Sequence, residues 1–149
     1  MGVCRDAAQC NVRSLPALWK SRLENLDTLN TLVSLGRLRI SQQRYADAET
    51  LLKEALRSYE KAAPQGLDLY ACQSMLGASL AGQKKYVEAE PLLVSGYQGM
   101  IERLEYIPAE RRLDLEETGN QILSLYQNLG KPQKAAEWRE KVQRDVKQN

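Results

Sequence analysis

The sequence has no histidine, and it has only three cysteines among its 149 residues. A zinc site of the finger type needs four nitrogen or sulfur ligands at short paired spacings, and Cys4, Cys10 and Cys72 do not supply them. Without histidine, a serine or cysteine nucleophile also lacks its usual general base. The sequence therefore predicts no metal site, no cofactor and no catalytic residue, and we expect that the chain is not an enzyme.

Long apolar runs and an excess of one charge sign are missing as well. No run approaches the length that would cross a bilayer. The 21 basic and 19 acidic residues are interspersed and give a net charge of +2, without the basic stripe that nucleic-acid binders show. An odd number of cysteines and no apolar signal segment favour reduced thiols. We predict a cytoplasmic protein that binds neither nucleic acid nor membrane.

Phenylalanine is absent, and the five prolines and nine glycines lie mostly at expected turns. No stretch shows the period-two alternation of a strand, so the sequence predicts an all-α fold. Turn signals place helices at about 28–42, 45–62, 67–82, 86–106, 109–129 and 132–147. We expect residues 1–14 to be flexible and residues 15–149 to form a single domain.

One pattern of small and apolar residues occurs twice, at an offset of 41 residues. Leu35, Gly36, Tyr45, Ala48, Leu52 and Ala55 recur as Leu76, Gly77, Tyr86, Ala89, Leu93 and Gly96. A third, more divergent copy has Gly130 as a helix C-cap, Pro132 in place of the tyrosine and Ala135 in place of Ala48. Self-similarity at a fixed offset is typical of an array of one supersecondary unit.

The small residues of the pattern predict where helices cross. Helix backbones approach closely only where side chains are small, so we expect Gly36 and Gly77 to lie at the crossing of two helices, faced by Ala48 and Ala89. Tyr45 and Tyr86 would each begin the second helix of a pair and pack between helices, with the hydroxyl at the surface.

This pattern resembles the tetratricopeptide repeat, whose usual period is about 34 residues. The excess of about seven residues is about two helical turns, and a longer period of this kind is similar to the kinesin-light-chain type. The resemblance implies a right-handed superhelix of antiparallel helix pairs, with repeats at about 27–63, 67–106 and 109–147 and a capping helix before them. We expect that capping helix to be separate, because Asp27 is a good N-cap for the helix that follows.

In such arrays the first helices of successive repeats line a concave groove, and the resemblance implies a non-catalytic scaffold that binds a protein or peptide there. The groove positions that this implies are Asn30, Val33, Arg37, Ser41, Ser74, Ala78, Glu117, Asn120 and Ser124, together with Ala71, Gly82 and Asn128. Small residues in the middle would let a peptide backbone come close, and Asn and Ser could bond its amides. Solvated positions on any helix would look the same.

One use of this groove within the family is a clamp for a C-terminal carboxylate, built from Lys, Asn and Arg. Only Asn30, Arg37 and Asn120 are of the right type here, so a clamp is disfavoured. A side-chain or helix ligand is favoured instead. Self-association stays open, because short arrays with divergent ends can pair.

The segments Ser74 to Tyr86, Glu90 to Leu93 and Gly130 to Arg139 also resemble the C-terminal repeat region of some bacterial serine/threonine protein kinases. This implies an alternative function, a regulatory tail in bacterial signalling, and the N-terminus would then fit a fragment or a shortened gene. No kinase chemistry carries over, because an H-R-D loop requires histidine.

Overall fold

A computed structural model describes the backbone of residues 17–107 and 111–147, and the side chains of 27–105, 107 and 111–145. The flexible segment predicted at residues 1–14 lies outside these ranges. The helices are α1 (Ala17–Ser41), α2 (Tyr45–Ala62), α3 (Leu67–Gly82), α4 (Tyr86–Ile101), α5 (Arg112–Asn128) and α6 (Pro132–Lys147), with a 3-10 turn at Leu104–Tyr106. The described ranges contain no strand, so the predicted all-α repeat fold is confirmed.

Consecutive helices pack as antiparallel pairs, α1 with α2, α3 with α4, and α5 with α6. Neighbouring pairs join through α2 against α3 and α4 against α5. In addition, α1 contacts α3 and α3 contacts α5, so the first helices of the three pairs lie side by side. They form the concave face, and the second helices lie behind them.

The turn inside each pair has the same conformation. Gln43, Lys84 and Gly130 occupy equivalent positions and have φ of 59°, 63° and 64°. The next residue donates its backbone N–H back into the preceding helix: Arg44 to the carbonyl of Arg39 at 2.8 Å, Lys85 to Leu80 at 2.9 Å, and Lys131 to Tyr126 at 2.9 Å. This is the Schellman ending of a helix, and it confirms Gly130 as a helix C-terminus.

The crossing of the two helices in a pair differs in one detail from the prediction. The observed contacts are Gly36 with Leu52 and Gly77 with Leu93. A Cβ atom added at Gly77 would lie 2.7 Å from Cγ of Leu93, so the leucine fills the space that the missing side chain leaves. The atoms nearest to the two glycines thus belong to these leucines, and not to Ala48 and Ala89 as the prediction had it. Both alanines are fully buried, one turn closer to the loop.

The third pair keeps the register but moves the close contact. Leu123 stands at the position of the first two glycines, and Arg139 at the position of the leucines is exposed. The contact forms instead between Gly119 and Val142, where an added Cβ would lie 2.8 Å from Cγ2 of the valine. It lies one turn further from the loop on both helices.

Helix α1 is continuous, which corrects the expected break at Asp27. The helix begins at Ala17, and the hydroxyl of Thr31 donates to the Asp27 carbonyl at 2.9 Å, a bond made within a helix. Neither glycine nor proline occurs between Ala17 and Gly36, so nothing in this stretch forces an end. The capping segment is therefore the first part of the same helix.

Helix α4 ends at Ile101, earlier than the predicted Tyr106. Arg103 follows it and donates from Nε to the Gln65 carbonyl at 2.8 Å and from Nη1 to the Gly99 carbonyl at 3.0 Å. Its guanidinium also lies 4.4 Å from the centre of the Tyr70 ring. These bonds tie the end of α4 to the loop before α3, and the chain turns there.

An ion-pair network joins the first pair to the second. The Glu49 carboxylate on α2 accepts from Nε2 of Gln83 at 2.6 Å and lies 3.1 Å from Nζ of Lys85, both in the turn after α3. Lys53 approaches it from one turn along α2. The hydrogen bond from Lys53, followed by that from Gln83, lowers the pKa of Glu49 to about 2.

Glu90 makes the equivalent contact between the second and third pairs. Its Oε1 accepts from the hydroxyl of Tyr126 at 2.9 Å and lies 3.7 Å from Nζ of Lys134. The same position in the third pair is Ala136, which is exposed. A carboxylate therefore stands at this position only where a further described pair follows it.

Candidate functional site

Three adjoining cavities follow the concave face. The loop-end cavity, about 650 Å³, lies between Ile40 and Gly82 on one side and the groove face of α5 on the other. The middle cavity, about 150 Å³, lies over Ser74 and Met75. The open-end cavity, about 300 Å³, lies beside Asn30.

Each of the nine predicted groove residues borders at least one of these cavities. Asn30 and Val33 border the open-end cavity, Arg37 the open-end and middle cavities, Ser41 and Ser74 the middle one, Ala78 and Glu117 the middle and loop-end ones, and Asn120 and Ser124 the loop-end cavity. The helix spacing thus collects them on one face of the molecule. Whether any of them contacts a partner stays a prediction.

An ion pair crosses the middle of the groove. Nη2 of Arg37 on α1 lies 2.9 Å from Oδ1 of Asp114 on α5. Arg111 lies 3.7 Å from Asp114 and 2.6 Å from Asp68, so the two arginines and two aspartates form one network. The helix between them has the small residue Ala71 there, which leaves room for the first and third pairs to meet. The charges of Arg37, Asp68, Arg111 and Asp114 are thereby paired within the protein, whereas Glu117, which also borders the middle cavity, is not part of this network.

Two predicted hydrogen-bonding residues are already bonded. Ser74 is only 4% exposed and donates its hydroxyl to the Tyr70 carbonyl at 3.0 Å. Its Oγ would lie 2.3 Å from a Cβ at Gly96, so it packs in the crossing with α4. Asn30 accepts through Oδ1 from the hydroxyl of Tyr59 at 3.1 Å. Both side-chain oxygens are therefore already engaged in hydrogen bonds within the protein.

Two titratable groups lie beneath the groove and stay protonated. Burial raises the pKa of the Cys72 thiol to about 12, and that thiol points at the Leu52 carbonyl at 3.5 Å. Burial also raises the pKa of Tyr59 to about 12. A protonated, buried thiol is a weak nucleophile, so Cys72 belongs to the core.

The loop-end cavity has an apolar wall and a polar wall. Ile40, Ala78 and Ala81 form the apolar wall together with the rings of Tyr45 and Tyr86. The polar wall is one face of α5, and its members follow helical spacing: Glu116, Glu117, Asn120, Gln121, Ser124 and Asn128. Asn120 and Ser124 are exposed, and their side chains make no hydrogen bond to the described part of the chain. This cavity can therefore offer both burial and hydrogen bonds to a ligand.

Sequence reasoning missed part of this cavity. Tyr45 and Tyr86 were assigned to packing between helices, and Leu113, which is 68% exposed, and Glu116 were not assigned to the groove. The spacing along α5 contained a signal, because residue 113 lies four positions before Glu117 and so shares its face.

The family comparison matches this architecture. Residues 27–100 match the family model described as tetratricopeptide repeat. In sequence these residues are similar to that repeat, and the helix pairs they form have its fold. The matched segment is the first two helix pairs, and the third pair shares their turn and register. Tetratricopeptide repeats are generally non-catalytic and mediate interactions between proteins.

No curated protein matches the chain well enough to count as a relative. None of the described helices is both long and apolar enough to cross a membrane. Within the described ranges, no group of three or more cysteine, aspartate or glutamate residues is arranged to hold a metal ion.

Proposed function

We propose that the loop-end cavity binds a peptide segment or helix of another protein, which makes this chain a non-catalytic interaction scaffold. The observation that supports this most is the cavity itself, about 650 Å³ and open along one face of α5. Leu113 borders this cavity, and its large apolar side chain is 68% exposed and so is accessible to a ligand. Repeats of this family generally mediate protein–protein interactions.

The dimensions suit a short segment. From Leu113 to Asn128, α5 lines the cavity over about 22 Å, at about 1.5 Å for each residue. About four turns of helix, or about seven residues of extended chain, have that length. An amphipathic helix laid in a groove, or a peptide with one apolar edge, would bury its apolar side chains against Ile40 and Tyr86.

The rest of the groove is less suited to a ligand. The Arg37–Asp114 ion pair crosses above the middle cavity, which holds only about 150 Å³. A ligand that followed the whole groove would have to break that pair. We therefore place the ligand against Ala78, Glu117, Asn120 and Ser124.

A peptide-display selection with matched variants tests this function. The immobilised chain is used to select from a random peptide library, and the selected peptides are measured against Ser124→Trp and Gln98→Trp. The first substitution fills the loop-end cavity, and the second places the same side chain at an exposed position on α4 that borders none of the three cavities. We expect Ser124→Trp to weaken binding at least about tenfold, which corresponds to about 1.4 kcal/mol, and Gln98→Trp to leave it unchanged.

Selected peptides that bind all three proteins equally would contradict the proposed site. A library that yields no binder would contradict peptide binding altogether.

The type of repeat, the role in signalling and the cellular location are also proposals. The 41-residue offset supports a repeat of the kinesin-light-chain-like type. The role as a regulatory tail in bacterial kinase signalling, and the cytoplasmic location, stay predictions. A kinase reading frame directly upstream of the gene would support the tail.

A further inference from the structure

The charge of the loop-end cavity is the opposite of the charge of the chain. The whole chain carries a net charge of +2. Of the described residues that border this cavity, the charged ones are Glu116 and Glu117, and both are acidic and exposed. A cavity with two carboxylates in an otherwise slightly basic protein sets a local field that favours cations.

Neighbouring cations do not neutralise these carboxylates. Arg37, which borders the adjoining middle cavity, already forms an ion pair with Asp114, with Nη2 lying 2.9 Å from Oδ1. Among the residues whose side chains are described, Glu117 accepts one hydrogen bond, a neutral one from Nε2 of Gln121 at 3.3 Å. Neither Glu116 nor Glu117 forms an ion pair with a described residue. Their charge is therefore available to a ligand.

The apolar wall faces these carboxylates across the cavity. Ile40 and Ala81 lie on one side, and the glutamates lie on the α5 side. A ligand that fills the cavity must therefore be apolar along one edge and polar or cationic along the other. A ligand with acidic residues on its second edge would meet like charge at short range.

We propose that the occupant is a cationic amphipathic protein segment, with apolar side chains against the wall of Ile40 and Tyr86 and with Lys or Arg toward Glu116 and Glu117. This inference rests on the proposed function, and it specifies the chemical class of the partner. The cationic side chains would form ion pairs at the rim while the apolar edge is buried, a division that gives specificity through charge and affinity through area.

A peptide series isolates the charge. Peptides of about fifteen residues, the length of the α5 face, share one apolar edge and carry Lys, Gln or Glu on the other edge. Fluorescence anisotropy measures each against the native chain, Glu117→Lys and Glu60→Lys. Glu60 is an exposed residue of α2 that borders none of the three cavities, so its reversal changes the net charge equally.

We expect the native chain to bind the Lys peptide about tenfold more tightly than the Glu peptide, with the Gln peptide in between. Glu117→Lys should reduce that preference several-fold, and Glu60→Lys should leave it unchanged. Raising the salt concentration from about 0.05 M to about 0.5 M should also reduce it, because exposed charges are screened.

Equal affinity for the Lys and Glu peptides, or equal effects of the two reversals, would overturn the inference. If display-selected peptides bind in the cavity while the Lys peptide shows no advantage, the charge inference fails and the proposed function stands. If Ser124→Trp does not weaken the binding of the selected peptides, both the proposed function and the charge inference fail.

Discussion

Glycines in these helices mark the places where another part of the protein leaves no room for a methyl group. A Cβ atom would come within 3.0 Å of a neighbouring atom at each of these helical positions of the described chain: Gly36, Gly77, Gly82, Gly96, Gly99 and Gly119. The neighbours differ in kind. At Gly36 they are the branched end of Leu52, whereas at Gly96 they include the backbone oxygen of Tyr70 and the backbone nitrogen of Ser74. A side-chain end can rotate away, but a helix backbone cannot.

Substitution at these two glycines should therefore have unequal costs. We expect Gly96→Ala to lower the free energy of unfolding by about 2–3 kcal/mol, since α3 and α4 must move apart. Gly36→Ala should lower it by less than about 1 kcal/mol, because alanine favours the helix and partly offsets the strain. Urea unfolding of both variants measures the difference, and equal losses would show that the crossing at Gly96 can relax.

The identity of the residues predicted where helices cross, but it did not predict which side chain packs against the glycine at each crossing. The offset between Gly36 and Gly77 correctly predicted where the helices approach, because close approach requires a small residue. Sequence alone could not show that Ser74, which borders the middle cavity, also packs in a helix crossing, since a helical period does not distinguish two adjacent faces. Gly96 on α4 has no side chain, and Ser74 packs in the space that this leaves at the crossing.

At the scale of the helix pair, the turn is the most regular element. Its left-handed residue is glycine only in the third pair, while Gln43 and Lys84 adopt the same conformation with a side chain. The left-handed conformation costs a residue with a Cβ about 1–2 kcal/mol. The first two turns are thus held by their hydrogen bonds and by the packing of the helices they join.

Glycine at these two turns should stabilise the protein. We expect Gln43→Gly and Lys84→Gly each to raise the free energy of unfolding by about 0.5–1 kcal/mol, because the strain relieved exceeds the entropy that glycine adds to the unfolded chain. Gly130→Ala should lower it by a similar amount. Thermal unfolding compares them with Gln42→Gly, a neighbouring residue without positive φ, which should destabilise. A gain at Gln42 equal to that at Gln43 would contradict this account.

Helix boundaries were predicted well where glycine or proline marks them. Helix α3 begins after Gly66, and α6 begins at Pro132, as expected. The break predicted at Asp27 did not form, since a capping residue is only a preference and no glycine or proline interrupts the helix there. Just after the early end of α4, Arg103 bonds to Gln65, a contact between residues distant in sequence that no local pattern contains.

At the scale of the whole molecule, Glu49 and Glu90 join successive pairs. Their positions differ by the repeat offset, and each bonds to the pair that follows it. The low pKa of Glu49 means that its ionised form is bound more strongly in the folded state than in the unfolded chain. Its contribution is therefore fully present above about pH 4.5 and is lost as pH falls toward about 2.

Removal of this charge should change the response to acid. We expect Glu49→Gln to destabilise the protein at pH 7, and we expect the difference from the native chain to shrink steadily between about pH 5 and about pH 2. Urea unfolding at a series of pH values measures this difference. Glu60→Gln, an exposed neighbour on the same helix, is the matched control and should show a difference near zero throughout. A Glu49→Gln difference independent of pH would contradict the ion-pair account.

The groove could be predicted from sequence only as a face. Helical spacing brought Asn120, Ser124 and Glu117 together correctly, because they share one side of α5. The division of that face into cavities depends on Arg37 reaching Asp114, a pairing across 77 positions of sequence. Charge pairs of that separation have no local signature, so the sequence could not indicate which half of the groove is open.

The contact between Arg37 and Asp114 also bears on how the array unfolds. Repeat proteins are commonly described as one-dimensional, with a stability that sums terms for single units and for adjacent neighbours. Here units one and three touch directly, so a next-nearest-neighbour term enters that sum. Unfolding of the third helix pair would then remove a contact of the first pair directly, even if the second pair stayed folded. The stabilities of the first and third pairs would therefore be coupled.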